Sequence, residues 1–235
     1  MSDGKAGDAP TGRDDEAGDE AYARRLAAVV AGHRGEAAAA ERLLDDDDAG
    51  VRAAALGALA RCGALRADQV RQALGDQAAT VRCRAAELAP PEVELLGLLS
   101  DPDASVVETV AAALGERDRD PGPVAELCRV ARSRDEPLCR ESAVAALGAI
   151  AAGLDADAGP DSDAALGAAH DAARAMALEV LLDAMDDRPQ IRRRALLGLH
   201  QFDDDRAETA VRAGLEDRDR QVRAVAGELL GVPVH

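Results

Sequence analysis

The chain has 235 residues, 47% of them hydrophobic, yet no Trp, one Tyr (Tyr22) and one Phe (Phe202). Its core must be built from Ala, Leu and Val, which favours helices and excludes an aromatic-rich sheet protein. Forty-five Asp and Glu against 28 Lys and Arg give a net charge of −17, a field that repels phosphate backbones and disfavours nucleic-acid binding.

Lys5 is the only lysine, and a GC-rich coding bias accounts for such a composition more readily than a saline cytoplasm. Cys62, Cys83, Cys128 and Cys139 show neither a CxxC pair nor metal-ligand spacing with histidine, so reduced thiols are expected. The acidic N-terminus lacks an apolar core, and no run of 18 apolar residues occurs. A cytoplasmic protein with no membrane span is expected.

Residues 1–18 have almost nothing to bury and read as a disordered acidic tail. Asp19 can cap a helix from Glu20 to Ala31, with Tyr22, Leu26, Val29 and Val30 as its apolar stripe. Residues 19–35 would then cap a repeat region spanning 36–231, with Tyr22 covering its end and 232–235 as a short tail.

Six phrases align on Val51, Val81, Val106, Cys139, Ile191 and Val222, at intervals of 30, 25, 33, 52 and 31 residues. Four residues on stand Ala55, Ala85, Val110, Ala143, Ala195 and Ala226; eight on stand Leu59, Ala89, Leu114, Leu147, Leu199 and Leu230. These offsets trace one helix face. Upstream apolar runs predict a partner helix for each: 37–44, 67–74, 92–99, 124–131, 173–185 and 207–215. Neither helix of a pair can bury its stripe alone, but stacked pairs can. The expected fold is all-α: a right-handed α-solenoid of six helix pairs, the short turns making paired helices antiparallel.

Five residues before the valine position lies Asp46, Asp76, Asp101, Asp186 or Asp217, placed to accept N–H bonds at the helix start; the fourth copy has Asp135 one place late. One residue after it lies Arg52, Arg82, Arg140, Arg192 or Arg223, with Val107 breaking the series. Stacking would bring these groups into an Asp–Arg ladder, worth roughly 0–1 kcal/mol per exposed pair.

The acidic turn, Val-Arg, paired alanines and Leu-Gly (Leu114-Gly115, Leu147-Gly148, Leu230-Gly231) resemble the HEAT family. The short unit is similar to the HEAT-like repeats of phycobilisome lyases. The resemblance implies a scaffold or adaptor; as an alternative it implies a chromophore lyase-like or metal-dependent hydroxylase-like enzyme or enzyme accessory. Two departures stand out. Ala89-Pro90-Pro91 replaces the Leu-Gly of the second copy and should end its helix abruptly. The 52-residue interval holds an acidic insertion, 153–167.

Little in the sequence marks chemistry. Asp155, Asp157, Asp161 and Asp163 in the insertion lack the Gly and Glu of a calcium loop. His33, His170, His200 and His235 do not form the His-Glu pairs of the HEAT-like di-iron hydroxylases; His170-Asp171 is the nearest imitation, and His200 suits a helix end. No cofactor, metal or catalytic residue is expected. A protein partner bound by a monomer along the second helices is, through Arg84, Glu87, Glu108, Glu141, Arg193, Arg194 and Glu228 at offsets +2, +3 and +6.

Overall fold

A computed structural model describes residues 12–117, 120–156 and 164–233. Among the described residues every regular element is helical and no strand forms. The chain divides into two compact units, Met1–Val93 and Glu94–His235.

The first unit holds α1 (Gly12–Arg34), α2 (Ala37–Glu41), α3 (Ala49–Arg61), α4 (Ala67–Leu74) and α5 (Ala79–Glu87). The second begins with a 3₁₀ turn, Leu96–Ser100, where a longer helix was expected. It continues through α6 (Ala104–Gly115), α7 (Val124–Ser133), α8 (Pro137–Ala156), α9 (Ala164–Asp183), α10 (Pro189–Leu199), α11 (Asp205–Ala213) and α12 (Arg220–Leu230). Within the first unit α1 packs on α3 and α3 on α5; within the second, α6 packs on α8, α8 on α10, and α10 on α12.

The valine stripe explains why these helices hold. Val51, Val81, Val106, Cys139, Ile191 and Val222 are at most 2% exposed, and the residues four further on are fully buried. Burying a Val or Ile side chain contributes about 1.5–3 kcal/mol. Cys139 behaves as a small apolar residue whose Sγ lies 3.4 Å from the Ala104 carbonyl, and burial pushes its thiol pKa up. Cys128 is likewise buried with a raised pKa.

Leu-Gly also has a physical cause. A Cβ on Gly115 would lie 2.9 Å from the Cα of Ala146, and one on Gly148 would lie 2.8 Å from the Cα of Gly198. In α1, Gly32 stands in the same relation to Ala58, at 2.8 Å. Each is a ninth residue of one copy against a seventh of the next, counting Ala23 as the valine position of α1. Glycine permits that close crossing. Gly231, the last of the series, is left-handed and ends α12.

Three expectations need correction. The helix before the repeats starts at Gly12, not Glu20; residues 1–11 lie outside the described residues. Its buried face is Ala21, Ala28 and Ala31, while Tyr22, Leu26 and Val29 are 64%, 51% and 42% exposed. Large side chains cannot enter a seam in which Gly32 meets Ala58, so Tyr22, Leu26 and Val29 lie outside it. The insertion is partly helical: 153–156 extend α8 and 164–167 open α9. Residues 157–163, with three of the four aspartates, lie outside the described residues, as does His235.

Among the described residues one helix, over Pro137–Leu154 in α8, is long and apolar enough to cross a membrane at mean hydropathy 1.2. It contains Arg140 and Glu141, is half buried, and packs against α6, α7 and α10. That is the signature of a core helix.

Candidate partner-binding surface

The acidic turns and the arginines after the valine form the most regular side-chain geometry in the chain. Arg52 reaches Asp76 of the following copy with a two-pronged fork, at 2.8 and 2.7 Å. Its remaining nitrogen donates to the Asp46 and Asp47 carbonyls of its own turn. Arg192 repeats this on Asp217 (2.8 and 2.6 Å) and the Asp187 carbonyl. Arg24 of α1 forks onto Asp46. Arg82 and Arg223 cap the carbonyls of their own turns at Asp76 and Asp217. The fork holds Asp46, Asp76 and Asp217 below the usual carboxylate range, against an opposing push from burial. The Arg52 and Arg192 forks each neutralise a carboxylate while the same guanidinium satisfies turn carbonyls.

The aspartate at −5 does not cap the helix. It accepts the N–H two residues on, as Asp46 does from Asp48 and Asp217 from Asp219. The residue at −3 is the cap: Asp48 accepts from Val51, Asp103 from Ser105, and Asp219 from Gln221. Asp186 leaves the ladder altogether. It is exposed, and Asp187 takes the Arg140 fork at 2.7 and 2.9 Å. The cause is a turn drawn in by one residue, in which the Arg188 N–H bonds to Asp187.

The break at Val107 is repaired from the other side. Val107 is fully buried and has no guanidinium to offer. At the next copy's aspartate position stands Arg134, which reaches back to the carbonyls of Leu99 (3.2 Å) and Asp101 (2.7 Å). Arg134 therefore caps the turn that an arginine at 107 would have capped. Asp101 is 9% exposed and accepts the N–H of Asp103.

The predicted partner residues occupy the other side of the second helices. Several meet one another. Arg84 lies across Gly57 and pairs with Glu87 at 2.7 Å. Arg194 pairs with Glu141 at 3.3 Å, and Arg193 donates to Gln221. Glu108 is half-buried and Glu228 exposed. Between α8 and α10 runs a trough of about 270 Å³ lined by Ala145, Gly148, Ala149, Ala152, Arg194 and Leu197 among others.

Clefts beside Arg52 and beside Arg140 border the ladder, whereas another, lined by His200, Phe202, Asp204 and Leu230 among others, does not. A cleft of about 400 Å³ beside α7 contains Arg132, Arg134 and Arg140, each already engaged by Asp183, backbone carbonyls or Asp187. Among the described residues no three His, Cys, Asp or Glu side chains are grouped to hold a metal. His170 is buried in α9, and His200 stands at the C-cap of α10.

Sequence reasoning missed the apolar members of this surface. Of the eight exposed large apolar side chains among the described residues, three line one side of α1 (Tyr22, Leu26 and Val29) and two lie on second helices, Leu138 one residue before Cys139 and Leu197 six after Ile191. The signal was available, since Leu138 and Leu197 are visible at those offsets in the sequence.

No family model and no curated protein matches the chain. Among solved structures it is similar to an engineered protein from a structural genomics consortium, at 19% identity and a TM-score of 0.45, over 91% of this chain and 88% of that one.

Proposed function

We propose that the chain is a non-catalytic scaffold or adaptor, built as a right-handed solenoid of six HEAT-like pairs, that binds a protein partner along the exposed faces of its second helices. The observation that carries this reading is the set of exposed large apolar side chains on α1, α8 and α10: Tyr22, Leu26, Val29, Leu138 and Leu197. Single apolar residues on a surface need no explanation, but three along one side of a helix, with two more on second helices, do. The small residues around them, such as Ala54 in α3 and Ala145 in α8, leave room for a backbone to approach. Aromatic anchors are scarce, so Tyr22 and arginines must supply specificity, which suits modest affinity in a cytoplasmic monomer.

The test places a photo-crosslinking residue at position 138 or 197 of the full chain, and at 179 or 208 on first helices as controls. The reading expects one identifiable protein to be captured at the groove positions only. That protein, purified, should bind the chain and lose affinity on Leu197→Asp. Equal capture at 179 and 208 would overturn the reading.

A further inference from the structure

The first unit carries a surface unlike the rest of this acidic chain. Tyr22, Leu26 and Val29 follow i, i+4, i+7 spacing along α1 and are 64%, 51% and 42% exposed. Tyr22 is the only tyrosine of the protein. Beside them, α3 presents Gly50, Ala54 and Gly57, so the neighbouring wall is low. The glycines are bordered by guanidinium groups: a Cβ on Gly50 would lie 2.8 Å from Arg25, and one on Gly57 would lie 2.6 Å from Arg84.

Charge sharpens the picture. Residues 21–34 and 49–61 contain no Asp or Glu, in a chain that has 45. They do contain Arg24, Arg25, Arg34, Arg52 and Arg61, with His33. Arg24 and Arg52 are held in ladder forks. Arg34 and Arg61 lie exposed in the last turns of α1 and α3, whereas Arg84, which crosses Gly57, is paired with Glu87. An apolar shelf thus runs toward a positive end.

We infer that this shelf docks an acidic amphipathic helix of a partner protein, its apolar side chains on Tyr22, Leu26 and Val29 and its carboxylates on Arg34 and Arg61. The shelf is made of helix faces, whose backbone N–H and C=O groups are already spent, so it offers no ladder for an extended peptide. A helix satisfies its own backbone and presents the matching spacing, about 10 Å between the first and third anchors. A second copy of this chain is a poorer occupant. Three apolar side chains fall well below the roughly 800 Å² per partner of a stable interface, and two chains of charge −17 repel. The inference rests on the scaffold reading and names the partner for this end of it.

The probe is a displayed library of helical peptides selected on the full chain. Enriched sequences should carry apolar residues at i, i+4 and i+7 with Asp or Glu toward one end. Binding of such a peptide, read by fluorescence anisotropy, should fall at least about tenfold in Leu26→Asp and in Arg34→Glu/Arg61→Glu. Glu208→Gln, on α11 of the other unit and away from the exposed faces of the second helices, should leave it unchanged. Circular dichroism is to check that each variant is folded, and Leu26, Arg34, Arg61 and Glu208 are all exposed. Absence of enrichment, a preference for basic peptides, or indifference to Leu26→Asp would overturn the inference. So would a dimer in light scattering that Leu26→Asp dissolves. In those cases crosslinking at position 197 still decides the scaffold reading by itself.

Discussion

Arg192 and Asp217 form the most enclosed fork, their side chains 4% and 12% exposed. Arg192→Ala leaves Asp217 charged in a half-closed site and uncovers the Asp187 carbonyl, so a loss of about 3 kcal/mol is expected in urea unfolding. Asp217 also gives a pH signature. Because Arg192 holds its pKa down, the fork's stabilisation is complete above the ordinary carboxylate value of about 3.9 and is lost as pH falls through the lowered one. The stability gap between the parent and Asp217→Asn should therefore be full at neutral pH and close only in stronger acid. A gap unchanged to the acid limit of folding would show that the carboxylate charge is not what stabilises. Arg134 and Val107 form a reciprocal pair of departures. Arg134→Asp alone orphans the Leu99 and Asp101 carbonyls, and Val107→Arg alone crowds a buried site beside Arg134. Together they rebuild an ordinary rung, so a double-mutant cycle should show favourable coupling of about 1 kcal/mol or more. Strict additivity would mean that the two positions are independent. Both departures stand in plain sight in the sequence; what hid their relation is that Arg52 and its relatives point forward, whereas Arg134 points back.

Helices in this chain are positioned by how closely they cross. Gly148 and Gly198 meet at near-contact of their backbones, so Gly148→Ala must push α8 from α10. Overpacking of this kind costs about 1–3 kcal/mol, of which the better helix propensity of alanine returns about 1. A fall in thermal midpoint is expected, whereas Gly18→Ala in α1, with nothing within 4 Å, should raise it slightly. The same crossing explains which elements were legible. Second helices announced themselves, because a valine, an alanine and a leucine at helical spacing are needed wherever a stripe is buried on both flanks. First helices were fainter: α2 closes after five residues, and Leu96–Ser100 is a 3₁₀ turn after Pro90-Pro91, where proline denies the backbone a donor. The face of α1 was misjudged for one reason. Size was taken as the mark of burial, but a seam between parallel neighbours selects Ala and Gly and expels Tyr22, Leu26 and Val29. The sequence thus singled out outward charges such as Arg84 and Arg193 but assigned Tyr22, Leu26 and Val29 to a buried stripe.

At the scale of the molecule, a surplus of 17 negative charges acts on both units at once. Many of the arginines are already committed to forks and pairs, such as Arg24, Arg52, Arg140, Arg192 and Arg206, so they relieve local rather than general repulsion. General repulsion reaches about 30 Å in ~0.01 M salt and only about 3 Å in ~1 M salt. The forks, largely shielded from solvent, respond much less. Thermal stability should therefore rise with salt, by about 2–4 °C for each kcal/mol of repulsion removed, and equally in sodium and potassium chloride. Melting curves followed by circular dichroism across that range measure the slope. The closed valine stripes and fork network should also keep the chain folded at the low-salt end, as expected if its acidity reflects coding bias. A chain that melts at room temperature in ~0.01 M salt would instead have acquired its carboxylates for a saline interior, and the repulsion would then be a condition of its native environment rather than a tolerated excess.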